Sequence, residues 1–281
     1  MRQTQDQFIG CAGVSIFWQA WLPDGDAKAV VVIAHGFGEH SDRYKNVVEA
    51  LVPAGYAVFA PDHRGHGRSS GHRALIDKHA YLLDDLDRVI TRAATDFPGL
   101  PLFLLGHSMG GNIALAAALK RPERLTGLVL SGPAATTDGI PKPLQLLARV
   151  LGRIAPKLRT QKLSAAGISR DPKVVADYIA DPMVYTGGIP AGTACALITS
   201  SLEFPELLRS LRMPLLVVHG SADSVVSVES GKTVHRLAGS PDKTLKVYDG
   251  LFHEVFNEPE RAMVLADVVG WLDAHCKVPA S

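Results

Sequence analysis

The stretch Leu102-Phe-Leu-Leu-Gly-His-Ser-Met-Gly-Gly111 constrains this chain more than any other. Its opening apolar run reads as a buried strand, and Asn112-Ile-Ala-Leu-Ala-Ala-Ala-Leu-Lys120 reads as a strong helix former. Between them Gly106-His-Ser-Met-Gly110 must turn sharply. A serine held in such a turn takes a strained backbone, and glycine at 106 and 110 lets the neighbouring chain pass close by. The Ser108 hydroxyl is thereby presented rather than buried. The following helix aims its unpaired N–H groups and positive dipole end at any oxygen that gains charge beside it.

At 281 residues the chain suits one large α/β domain or a domain carrying an insertion. With 29 Lys and Arg against 28 Asp and Glu, no overall field favours nucleic acid. The polar Met1 to Asp6 segment lacks the layout of a signal peptide, and no apolar run is long enough to span a bilayer. The expectation is a cytoplasmic protein, or one peripherally associated with a membrane. Cys11, Cys195 and Cys276 lie far apart in no metal-like spacing, so neither disulfides nor a metal centre is expected.

Val14 to Trp21 alternates like a half-buried antiparallel strand, and Ala29 to Ala34 is apolar throughout, as in a strand covered on both faces. A helix is expected over 42–54, a strand at Tyr56 to Ala60 and a glycine-rich loop over Pro61 to Gly71. An acidic amphipathic helix over 77–95 follows, with Leu83, Leu86 and Ile90 on one side. After the Ser108 turn and its helix, Leu125 to Leu130 is another buried strand. This alternation predicts a mostly parallel sheet with helices on both faces. It breaks after Ser131-Gly-Pro133 and resumes at Met213. Residues 1–132 and 213–281 therefore read as the core, and 133–212 as an inserted, mainly helical cap without a clear strand.

Within the insertion, Lys142 to Ile154 sets Leu144, Leu147, Leu151 and Ile154 on one stripe and Arg149, Arg153 and Lys157 on another. Asp171 is its sole acid between 142 and 173. Such a cationic amphipathic helix suits either an anionic membrane face or a solvated outer surface. Asp171-Pro172 and Ile189-Pro190 read as helix starts.

A serine becomes a useful nucleophile only with a base and an orienting acid, which on a turn of this kind follow it in the order Ser, acid, His. Leu215 to His219 reads as a strand whose exit loop carries Asp223, and Thr244 to Tyr248 as the last strand, whose exit loop carries His253. Asp223 is the expected acid, with Asp249, on the same loop as His253, as its competitor. His35 and His219 suit structural hydrogen bonds, and His235 and His275 lie within helices. An oxyanion needs two backbone donors: the N–H of Met109, after the serine, and that of Phe37, in His35-Gly-Phe-Gly38.

Together, His35-Gly-Phe-Gly-Glu-His-Ser-Asp-Arg-Tyr44, Asp62-His-Arg-Gly-His-Gly-Arg-Ser-Ser-Gly71, Gly106-His-Ser-Met-Gly-Gly111, Asp223 and His253 resemble the monoacylglycerol lipase and lysophospholipase branch of the α/β-hydrolases, from about Val14 to about Leu272. The resemblance implies the α/β-hydrolase fold and hydrolysis of the fatty acyl ester of a monoacylglycerol, or a related single-chain acyl ester, without metal or cofactor. It also implies that Glu39 and Arg43 form or brace the polar end of the pocket, against a surface ion pair as the alternative. A lysophospholipase or broad carboxylesterase would use the same residues. A noncatalytic lipid-binding protein of this fold would normally have lost one of them.

Overall fold

The structure is a computed structural model that describes residues 1–276. In chain order, β1 (Arg2–Ile9) and β2 (Ser15–Leu22) lead into β3 (Ala29–Ala34), α1 (Lys45–Leu51), β4 (Tyr56–Pro61), α2 (His79–Asp96) and β5 (Leu102–His107). Then come α3 (Met109–Lys120), β6 (Gly127–Ser131), α4 (Lys142–Ile154), β7 (Arg159–Lys162), α5 (Pro172–Ala180), β8 (Gly188–Pro190) and α6 (Ala191–Leu207). The chain closes with β9 (Leu215–Gly220), α7 (Val228–Leu237), β10 (Lys243–Tyr248) and α8 (Arg261–His275).

Eight strands form one sheet in the order β1-β2-β4-β3-β5-β6-β9-β10. The β1–β2 and β2–β4 pairs are antiparallel and the rest parallel. The central parallel strands β3, β4, β5, β6 and β9 are buried throughout because each face is covered. Val30, Val32, Leu104, Leu128 and Val217 pack toward Leu86 of α2, Ile113 of α3 and Val234 of α7. Their neighbours Val31, Ile33, Phe103, Leu105 and Val218 pack toward Leu51 of α1 and Val268 of α8. This two-residue alternation is how a parallel sheet reads when neither face meets water.

Register decides where the site lies. Ala34, Gly106, Leu130, Val217 and Leu245 stand in one row across β3, β5, β6, β9 and β10. The loops carrying Phe37, Ser108, Asp223 and His253 therefore leave the same edge of the sheet, its carboxyl end, where open α/β sheets place their sites.

Three local features depart from the sequence reading. The polar start of the chain is β1, whose side chains are nearly all exposed, so it owes its place to backbone pairing with β2 and carries no apolar signature. The helix expected over 42–54 is a 3-10 turn at Ser41–Tyr44 followed by α1. The segment between β6 and β9 contains two short strands, β7 and β8, paired antiparallel. The starts foreseen at Asp171-Pro172 and Pro190 open α5 and α6, and Asp171 caps α5 by accepting from the Lys173 N–H at 2.9 Å.

Candidate active site

Ser108 links β5 directly to α3 at φ 54° and ψ −118°. That conformation costs a non-glycine residue about 1–3 kcal/mol and persists only where its surroundings over-determine it. They do so here. The Ser108 N–H donates to the Ser131 carbonyl at 2.9 Å, and its own carbonyl accepts from Gly111 at 2.9 Å and Ala134 at 3.0 Å. A Cβ on Gly110 would overlap the Ala34 carbonyl, so β3 can lie against the turn only because position 110 has no side chain. The Met109 N–H stands at the start of α3, where no intrahelical acceptor exists.

Ser108 and His253 border the same small cavity, of about 30 Å³. His253 Nδ1 lies 2.7 Å from Asp223 Oδ2, while Asp223 Oδ1 accepts from the Val225 and Val226 N–H groups at 2.8 and 2.9 Å. Burial opposes ionisation of Asp223, but hydrogen bonds from His219 and His253 outweigh it and hold the carboxyl well below the usual range. The competing acid, Asp249, instead accepts from the Ser221 hydroxyl at 3.1 Å. Asp223 and not Asp249 thus meets the imidazole.

Phe37, Ser108 and Met109 share the wall of a larger cavity of about 270 Å³. Its far lining is mostly apolar, with Ile140, Leu163, Ile189, Leu197 and Ile198 drawn from the segment between β6 and β9. The small cavity is mixed: Phe37, Leu163, Ile168 and Val225 share its wall with Glu39, Tyr178 and Glu254 beside Ser108 and His253. Ser108 borders both.

Glu39 and Arg43 are not a surface pair. Glu39 is buried and accepts from the Gly36 N–H at 2.5 Å, the Tyr44 hydroxyl at 2.7 Å and Arg43 Nε at 3.2 Å. Burial works against its charge, but the Arg43 guanidinium and the Tyr44 hydroxyl hold its carboxyl well below the glutamate range. Arg43 also lies over the Tyr178 ring, 4.6 Å from its centroid. Glu254, which sequence reasoning missed, receives two bonds from Arg43 at 2.8 and 2.6 Å and one from Asn257 at 2.7 Å. Its one signal in the sequence was adjacency to His253. His35 is the structural hydrogen bonder expected: its Nε2 accepts from the His63 N–H at 2.8 Å, which leaves Nδ1 to donate to the Gly36 carbonyl at 2.8 Å. His107 meets the Ser131 carbonyl and hydroxyl, and burial and the nearby His253 push its pKa down to about 3, so it is uncharged at neutral pH.

Residues 25–260 match the family described as serine aminopeptidase, S33. A monoacylglycerol lipase of Mycolicibacterium smegmatis is 44% identical over 97% of this chain and 98% of its own length. The chain belongs to the monoacylglycerol lipase branch of the α/β-hydrolases. A human monoglyceride lipase is 35% identical over 91% of this hydrolase and 85% of its own length. The crystal structure of a Paleococcus ferrophilus monoacylglycerol lipase superimposes with a TM-score of 0.82 at 30% identity, covering 98% of the hydrolase and 100% of that chain. Its mostly parallel sheet with flanking helices is the α/β-hydrolase fold.

Proposed function

We propose that this hydrolase cleaves monoacylglycerols to glycerol and free fatty acid through an acyl-enzyme. The observation that carries the reading is the position of Ser108, which borders both an apolar cavity suited to a fatty chain and a smaller one whose wall carries Glu39, Tyr178 and Glu254, groups that suit glycerol hydroxyls. The names of the relatives support the same substrate class. His253 takes the proton from Ser108 as the hydroxyl attacks the ester carbonyl, and Asp223 holds the imidazole tautomer and stabilises its charged form. The Phe37 and Met109 N–H groups receive the tetrahedral oxyanion; losing one such donor typically costs about 3 kcal/mol of barrier. His253 then protonates the departing glycerol oxygen, and a water activated by the same imidazole releases the fatty acid.

The polar end is braced by Arg43 between Glu39 and Glu254, an acceptor-rich surface for hydroxyl donors and a poor one for a phosphate. That favours a glycerol head over a lysophospholipid head. In this reading residues 133–212 form the cap, and α4 is its membrane-facing surface. Leu146 and Ile154 of α4 are 62% and 74% exposed, and Lys142, Arg153 and Lys157 are exposed around them. Greasy side chains ringed by cations suit peripheral contact with an anionic lipid surface. Among the described residues no helix is long and apolar enough to cross a membrane.

The test is labelling with a fluorophosphonate probe followed by a substrate panel. Ser108 should be the labelled residue, and monoacylglycerol should be hydrolysed faster than lysophosphatidylcholine or short simple esters. No labelling removes the mechanism, and a preference for lysophosphatidylcholine removes the head-group assignment.

A further inference from the structure

Asp223 has more donors than its partnership with His253 requires. Its Oδ1 is filled by two backbone N–H groups, and its Oδ2 is shared between His253 Nδ1 at 2.7 Å and His219 Nε2 at 3.1 Å. His219, on β9, is wholly buried. Its Nε2 faces two acceptors, Asp223 Oδ2 and the Val226 carbonyl at 3.0 Å, so Nε2 carries the proton. Its Nδ1 is buried without a partner among the described residues and lies against Gly231 of α7, where a Cβ would come within 2.6 Å. A second proton at Nδ1 would find no acceptor, so the ring is held neutral.

We propose that His219 is a positioning residue: a neutral imidazole that fixes the Asp223 carboxylate and limits how strongly it pulls on His253. The inference rests on the proposed roles of Ser108, Asp223 and His253. A carboxylate that already accepts three hydrogen bonds is a weaker acceptor for the fourth, so His219 tempers the hydrogen bond that Asp223 accepts from His253. Glycine marks the crowding here as well. A Cβ on Gly132 would lie 3.2 Å from His253 Nδ1 and 3.4 Å from Asp223 Oδ2. The remaining titratable groups are His107, whose ring centroid is 4.6 Å from that of His253, and Glu39 and Glu254 in the wall of the same cavity.

The experiment compares His219→Leu and His219→Gln with the wild type, following kcat/KM for a soluble p-nitrophenyl ester from about pH 5 to about pH 9. Removing the donor should lower kcat by about tenfold to a hundredfold. It should also move the acidic limb upward by about half a unit to one unit. Glutamine, whose amide N–H reaches the place of Nε2, should restore most of both. An unmoved limb in His219→Leu, or equal impairment of the two variants, overturns the proposal. Nitrogen-15 spectra of histidine-labelled wild type decide it independently, should the leucine variant fail to fold. His219 should remain the neutral Nε2–H tautomer throughout, and a charged ring or an Nδ1–H tautomer overturns the role. Fluorophosphonate labelling separates the two failures. A wild type unlabelled at Ser108 refutes the hydrolytic mechanism, whereas full labelling with an unmoved limb refutes the His219 role alone.

Discussion

Arg43 Nη2 donates to both carboxylate oxygens of Glu254, at 2.8 and 2.6 Å, across 211 residues of sequence. The same guanidinium holds Glu39 through Nε, so one largely buried cation serves two buried carboxylates. The two acids respond in opposite senses: burial and the nearby Glu39 raise the carboxyl of Glu254 despite Arg43, whereas that of Glu39 is depressed. Ionisation is favoured at Glu39 and disfavoured at Glu254.

Acid should therefore act through Glu39. A depressed folded pKa gives stability that is present above the ordinary glutamate value, about 4.3, and is lost as pH falls through the lower folded value. Glu254 has the reverse sign and partly offsets it. Glu39→Gln is expected to cost about 1–3 kcal/mol at neutral pH and to flatten the decline in stability below about pH 4. Glu254→Gln should cost less. Urea unfolding midpoints at neutral and acidic pH measure both.

The strained serine predicts a trade between activity and stability. Ser108→Ala should abolish ester hydrolysis and probe labelling with the circular dichroism unchanged. Ser108→Gly should be equally inactive yet more stable, since glycine accepts φ 54° and ψ −118° without the side-chain penalty. A gain of about 1 kcal/mol corresponds to a Tm rise of about 2–4 °C. A lower Tm for Ser108→Gly would show that the turn is unstrained.

Asp223 and Asp249 should separate cleanly. Asp223→Asn leaves the position filled but presents the wrong partner to His253 Nδ1, and a loss in kcat of about ten-thousandfold is expected. Asp249 is bonded to Ser221 and not to His253, so Asp249→Asn should retain activity within about twofold. Steady-state rates on one soluble ester are enough to decide.

Charge on α4 should govern vesicle binding. Exchanging Lys142, Arg153 and Lys157 for glutamate should weaken binding to anionic vesicles, with about 1 kcal/mol lost per cation removed near the surface. Wild-type binding should decline with added salt while hydrolysis of a soluble ester stays constant. Equal binding to neutral and anionic vesicles would leave the apolar residues as the sole contact.

The serine turn, the buried parallel strands and the late acid and histidine were open to reading from the sequence because each depends on neighbours in the chain. Continuous apolar runs of strand length mark covered strands, and glycine beside Ser108 marks where backbone must approach backbone. Chain order already favoured Asp223, and tertiary structure decided against Asp249, which is nearer in sequence, because the loop leaving β9 brings Asp223 to His253. Tertiary structure alone joined Arg43 to Glu254 and His219 to Asp223, since donors and acceptors are paired by strand order and loop path, which local composition does not encode. It also placed the polar β1 strand, because backbone hydrogen bonds to an edge need no particular side chain.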